Sequence, residues 1–191
     1  MTTTTTHATI ADLYNVPEGQ KAELVRGRLI YLSPTGSMPG YASTRIVRAL
    51  DEYGEQTGSG SAMGGNVAFV VNLPNRQSFS PDATFHTGPL DTMDFLTGAP
   101  LFAVEVRSKG DYGPAAERAM ALKRADYFAA GTRVVWDVDL LGTEVVRVYR
   151  ADKPEQATVY RRGERAEAEP ALPGWTMPVD DLFPKTRPFQ P

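Results

Sequence analysis

The sequence predicts a single mixed α/β domain. Two apolar strand-like runs, LFAVEV (101–106) and TRVVWDV (132–138), flank a helical stretch that begins at Pro114 and stops at Gly131. A second pair of short apolar runs flanks Arg26-Gly27, as in a β-hairpin. A strand–helix–strand unit favours a right-handed crossover between parallel strands. A hairpin needs antiparallel pairing, so the sheet is expected to be mixed.

Along the chain, Thr2 to Thr6 read as low-complexity, and residues 1–8 as a disordered tail. Residues 9–191 read as one domain whose end, from about residue 162, is a Pro-rich extension. Thr9 and Asp12 have capping-box spacing for a short helix over 9–15. KAELVRGRLIYLSP is the hairpin, and Pro34, Gly36, Pro39 and Gly40 mark a loop. From Tyr41 to about Gln56, Ile46, Leu50 and Tyr53 recur at helical steps until Gly58. Asn66 to Leu73 reads as a strand. Phe79 to His86 reads as another, bent near Pro81. Leu90 to Pro100 is a loop or a broken helix. Pro114 suits a helix's first turn and Gly131 its C-terminal cap. After Val138 the sheet continues as a meander through 143–149 and 157–161, with an apolar clip at Leu172, Trp175, Leu182 and Phe183.

Composition narrows the chemistry. The 191 residues contain no cysteine, which excludes disulfides and thiolate-held metals. Two histidines, His7 and His86, exclude a histidine-rich metal site and leave little material for a Ser-His-Asp triad. Any metal would be held by oxygen, which points to magnesium, manganese or calcium. The net charge of -3 does not advertise a nucleic-acid partner, although a local basic patch is compatible with it. No run approaches the roughly 20 apolar residues of a membrane span, and the first residues lack a signal-peptide pattern. A cytoplasmic location without membrane contact is expected. There is no Walker loop, and Gly58, Gly60 and Gly64 only approach a dinucleotide fingerprint without a following helix.

Three acidic residues occupy unusual positions. Glu23 lies in AELV, Asp82 follows Pro81 in SPDATF, and Glu105 interrupts LFAVEV. A carboxylate inside a buried strand is costly unless paired, hydrogen-bonded or metal-bound. Each alone reads equally well as a strand-end residue facing water. Lys123 is the fourth. On a wheel of about 100° per residue, Ala116, Ala119, Met120, Tyr127 and Ala130 fall within about 60° of it. Its ammonium either snorkels to the rim or reaches over the strand that carries Glu105.

In this order and setting, AELVRGRLIYLSP (22–34), SPDATF (80–85), LFAVEVRS (101–108) and KRADYFAAGTRVVWDVD (123–139) resemble the PD-(D/E)XK, or restriction-endonuclease-like, superfamily. They are most similar to its Uma2 family, catalogued as nuclease-like domains of unknown function. The resemblance spans roughly residues 20–150 and implies a restriction-endonuclease-like mixed sheet flanked by helices. It further implies a Mg²⁺- or Mn²⁺-dependent endonuclease acting on DNA. Asp82, Glu105 and the Val106 carbonyl would be metal ligands and Lys123 the catalytic cation. Glu23 would be an accessory acid, as a second metal ligand or a water partner. One pair of converging carboxylates about 4 Å apart costs on the order of 4 kcal/mol at an effective dielectric of about 20, which a divalent cation removes.

Two departures stand out. The superfamily's lysine commonly lies two residues after the strand acid, where this chain has Arg107. GSMPGYAS lacks the histidine that the family tends to carry near its first long helix. Both favour an alternative, a catalytically silent nuclease-like domain that binds nucleic acid or a protein. A third reading is a structural or regulatory dimer. Phosphate contacts are expected from Arg107, Lys109 and Arg124, with Arg45, Arg48 and Arg118 as further candidates or simply solvated helix faces. A homodimer, one site per DNA strand, is the expected assembly.

Overall fold

The computed structural model describes residues 7–185. Most of the expected tail, residues 1–6, and the last part of the extension, residues 186–191, lie outside the described residues. Ala8 already belongs to the fold, because its N–H donates to the Gly27 carbonyl at 2.8 Å.

Helix α1 (Ile10–Tyr14) is closed by the capping box of Thr9 and Asp12. Strands β1 (Lys21–Val25) and β2 (Arg28–Leu32) pair antiparallel around Arg26-Gly27. Arg26 and Gly27 have φ of 50° and 66°, and a two-residue turn with both φ positive matches the twist of the strands it joins. Helix α2 (Ser37–Thr57) starts four residues earlier than its periodicity predicts. Pro39 and Gly40 are therefore in the helix rather than in a loop. Proline is tolerated there because first-turn N–H groups have no intrahelical partner.

Strand β3 (Ser61–Gly64) is an addition to the expected elements, since SAMG carries almost no β signal. Glycines around it permit close packing. A Cβ on Gly60 would fall 2.4 Å from the His86 carbonyl oxygen, and one on Gly64 would fall 2.7 Å from Val47 Cγ2 of α2. Next come β4 (Phe69–Leu73), β5 (Arg76–Phe79) and β6 (Ala83–His86). The run 79–86 is thus the end of one strand and the whole of another. Ser80, Pro81 and Asp82 form the joint, because proline cannot donate to a ladder. Residues 90–100 form a loop containing the two-residue strand β7 (Leu96–Thr97).

Strand β8 (Phe102–Val106), helix α3 (Pro114–Ala130) and strand β9 (Val134–Val138) form the expected unit, and β8 pairs with β9 in parallel. Strands β10 (Val146–Arg150) and β11 (Lys153–Tyr160) extend the meander antiparallel. Among the described residues the main sheet has six strands in the order β11-β10-β9-β8-β6-β3, and a smaller sheet runs β5-β4-β7.

The C-terminal segment forms β12 (Arg165–Glu167), β13 (Thr176–Pro178) and a 3-10 turn over Val179–Leu182. Leu172, Trp175, Met177 and Leu182 are buried in the same core as Phe102, Trp136, Ile46 and Leu50. The extension expected from about residue 162 is therefore part of the domain's interior up to Leu182. No helix among the described residues is long and apolar enough to cross a membrane.

Candidate active site

Asp82 and Glu105 are brought together by strand pairing. The Asp82 N–H donates to the Val104 carbonyl at 3.0 Å, and the Val106 N–H donates to Asp82 Oδ2 at 2.9 Å. These two bonds bracket Glu105. The Asp82 carbonyl also accepts the Ser43 hydroxyl of α2 at 2.6 Å. Both carboxylates therefore stand on fixed backbone at the middle of the main sheet.

Helix α3 supplies the cation. Lys123 Nζ lies 2.8 Å from Glu105 Oε1 and 2.9 Å from Glu23 Oε1. Its ammonium thus reaches over β8 rather than out to solvent. One turn further on, the Tyr127 hydroxyl donates to the same Glu105 Oε1 at 2.7 Å. The Tyr127 ring is fully buried and stacks on Phe79, with centroids 4.0 Å apart. Ala116 and Ala119 are small and open this side of the helix to the cleft.

Glu23 sits behind the lysine and is only 3% exposed. Its Oε2 accepts from Arg76 Nη1 at 2.6 Å, and its Oε1 accepts from the Ser80 N–H at 2.9 Å as well as from Lys123. With both oxygens engaged by protein donors, Glu23 is a counter-ion that holds Lys123. This arrangement differs from the one expected of an accessory metal ligand or water partner. Arg76 in turn bonds Asp126 Oδ2 through Nε at 2.8 Å and so ties β5 to α3.

Electrostatics follow from this packing. Burial works against the charge on Lys123, but Glu105 and Glu23 outweigh it and hold the ammonium well above the ordinary lysine range. Burial also disfavours the Glu23 anion, yet Lys123 and Arg76 keep that carboxyl below its usual value. At Glu105 burial prevails, reinforced by the neighbouring Asp82 and Glu23 carboxylates, and its carboxyl is raised despite Lys123.

Arg107 is likewise held by protein partners. It is 5% exposed, and its guanidinium forks onto Asp137 at 2.7 Å through both Nε and Nη2. Nη1 and Nη2 also engage Glu117 of α3. This side chain lines the cleft but spends most of its donors on these two carboxylates. Arg124 stacks over the Tyr149 ring at 3.6 Å, while Lys109 is exposed, and both line the cleft. Arg45 faces Asp181 at 3.8 Å, Arg48 pairs with Glu52 at 2.9 Å, and Arg118 is exposed.

Among the described residues no three acidic or histidine side chains converge closely enough to hold a metal ion. The oxygen donors facing the cleft are instead two carboxylates and a backbone carbonyl. Arg107 N–H bonds across to β9, so Val106 bonds the other way, towards Asp82. The N–H and C=O of one strand residue face the same neighbour, which turns the Val106 carbonyl to that side too. The cleft in front is open, with a volume of about 1900 Å³.

Tyr127 has a signal in the sequence, four residues after Lys123 on the same helix face. Arg76 and Asp126 have none, because each is an ordinary charged residue until the strands that bury it have paired.

A six-stranded mixed sheet, with Asp82 and Glu105 side by side at its middle and a lysine reaching in from the crossover helix, defines a restriction-endonuclease-like fold. The chain belongs to the Uma2 family, whose model, described as "putative restriction endonuclease", matches residues 9–180. Among solved structures it is similar to a "putative nuclease belonging to DUF820" from Anabaena variabilis, with 16% identity and a TM-score of 0.72. That likeness covers 92% of this chain and 97% of the other, and it is one of fold. A comparison with curated proteins gave no match.

Proposed function

We propose that this chain is a divalent-metal-dependent nuclease that hydrolyses DNA phosphodiester bonds. The observation that carries this reading is Lys123 Nζ held 2.8 Å from Glu105, beside a second carboxylate, Asp82, in the joint that leads into the adjacent strand β6.

The donors suit a hard cation. Glu105 Oε1 is taken by Lys123 and Tyr127, whereas Oε2 accepts no hydrogen bond among the described residues. Asp82 Oδ1 has only a 3.6 Å contact with Lys21. Two carboxylate oxygens and the Val106 carbonyl match the oxygen ligation of Mg²⁺ or Mn²⁺, with water filling the remaining positions. A cation held there would supply charge neutralisation at phosphorus and acidify a bound water.

The chain's own groups do the rest. Lys123 stays an ammonium, so it stabilises developing negative charge on the phosphate and does not abstract a proton. Glu23 and Arg76 fix where that ammonium points, and Tyr127 fixes the rotation of the Glu105 carboxylate. Lys109 and Arg124 at the cleft are the candidates for neighbouring phosphates. Two copies, one site per strand, would suit duplex cleavage, and sedimentation of the purified protein reads that stoichiometry directly.

The test is plasmid nicking with Mg²⁺ or Mn²⁺ and with EDTA. Nicking is expected only with metal, and Asp82→Ala and Lys123→Ala are each expected to lose on the order of 100-fold. Equal nicking by wild type and both variants overturns the reading. The second reading, a nuclease-like domain that binds without cutting, is favoured by the pairing of Arg107, which stands where the superfamily's lysine commonly lies, with Asp137 and Glu117. It predicts duplex binding with no nicking at any metal concentration.

A further inference from the structure

Lys21 opens β1 two residues before Glu23, so both side chains leave the same face of the strand. Glu23 is sealed behind Lys123, whereas Lys21 stands at the cleft beside Asp82. The two lysines differ in how they are held. Lys123 donates at 2.8 and 2.9 Å to two carboxylates. Lys21 Nζ lies 3.6 Å from Asp82 Oδ1, beyond hydrogen-bond length, and is in salt-bridge reach of no other carboxylate among the described residues. Its side chain is 21% exposed and that of Asp82 is 32% exposed, so the contact is open to water and to ions.

Asp82 Oδ1 is also an oxygen assigned above to the metal. An ammonium and a divalent cation repel each other and cannot share it at close range. With a cation held at Asp82, Lys21 would therefore lose this contact. Once displaced, its four-carbon stem keeps the ammonium within the same cleft, where an incoming phosphate is the complementary charge. Resting on the nuclease reading, we propose that Lys21 is a substrate-binding residue. It occupies Asp82 in the metal-free protein and turns to a phosphate oxygen of the nucleic acid when metal takes that carboxylate. The two events are then linked: metal frees the lysine for the phosphate, and the phosphate, by drawing the lysine away, tightens the metal.

The test pairs two measurements on the full chain. Mn²⁺ is titrated calorimetrically into wild type, Lys21→Met, Lys21→Arg and Asp82→Ala. A fluorescent DNA duplex is then titrated in Mn²⁺ over a range of salt concentrations, read by anisotropy before turnover. Lys21→Met is expected to bind Mn²⁺ on the order of five- to tenfold more tightly, because a unit charge close to the ligand is gone. The same variant is expected to bind the duplex more weakly, with the salt dependence reduced by about one phosphate contact. Lys21→Arg restores the duplex affinity and its salt dependence. A merely structural role shifts the urea midpoint and leaves the salt dependence unchanged. Unchanged Mn²⁺ affinity or unchanged salt dependence in Lys21→Met, with Mn²⁺ binding intact in wild type and lost in Asp82→Ala, overturns the role of Lys21 alone. No Mn²⁺ binding by wild type overturns the nuclease reading, and the role of Lys21 with it.

Discussion

Lys123 and Tyr127, one helical turn apart on α3, converge on a single oxygen of Glu105. The tyrosine has one job there that its ring does not need. In Tyr127→Phe the stack on Phe79 persists and only the hydroxyl bond is lost. A cost of about 0.5–1.5 kcal/mol is expected, read as a urea midpoint shift at constant slope. Nicking is expected to fall further than stability, because the Glu105 carboxylate then keeps Lys123 as its one anchor among the described residues. Wild-type nicking by this variant would remove Tyr127 from the site.

Arg76 bridges Glu23 and Asp126 in a place with almost no water. Its removal in Arg76→Met leaves the buried Asp126 with no ionic partner among the described residues and Glu23 with Lys123 alone, which costs about 3–5 kcal/mol. Chemical denaturation measures the loss. A shift under about 1 kcal/mol would mean that water enters behind β5 and replaces the guanidinium.

The two partners of Arg107 are predicted to be unequal. The Asp137 side chain is 7% exposed and that of Glu117 is 52% exposed. Glu117→Gln should cost under about 1 kcal/mol. Asp137→Ala leaves Arg107 half-paired in the interior and should cost about 3–5 kcal/mol. The hydrogen bond from Arg107 holds the Glu117 carboxyl below its ordinary value of 4.5. A depressed carboxyl stabilises the fold above its unfolded value, and that contribution fades as pH falls through its folded value. Thermal denaturation between pH 6 and 3 should show a smaller acid loss in Glu117→Gln than in wild type.

Gly60→Ala places a methyl 2.4 Å from the His86 carbonyl oxygen and 2.6 Å from Phe85 Cε1. Backbone on one side and a packed ring on the other leave no easy relief. A loss of about 1–3 kcal/mol is expected in urea denaturation. Gly58→Ala is the contrasting control. Gly58 has φ of 62°, and a methyl added there would meet nothing within 4 Å, so backbone strain acts without a clash.

The elements with strong local physics are legible in the sequence. Pro114 and Gly131 bracket α3, and Arg26-Gly27 makes the turn expected of it. The buried strands β8 and β9 carry mostly apolar runs of strand length. The convergence of Lys123 and Glu105 is open to reading because a lysine amid alanines is informative on a helix. What stays hidden depends on partners far along the chain. Strand β3 exists because β6 offers it a ladder, and Glu23 becomes a counter-ion only when Arg76, 53 residues away, is folded against it. The C-terminal clip reads as part of an extension, because nothing in residues 162–183 announces that the sheet lacks a cover without them.

That cover has an optical consequence. The protein contains two tryptophans, Trp136 on β9 and Trp175 in the C-terminal segment, and their rings lie 5.2 Å apart. Both sit on the side of the sheet away from Lys123 and Glu105. Intrinsic emission therefore registers whether the C-terminal segment is docked, and is nearly blind to events at the carboxylates. Ligand titrations on this molecule call for an extrinsic dye or for heat, while indole fluorescence is the natural clock for the closing of the core.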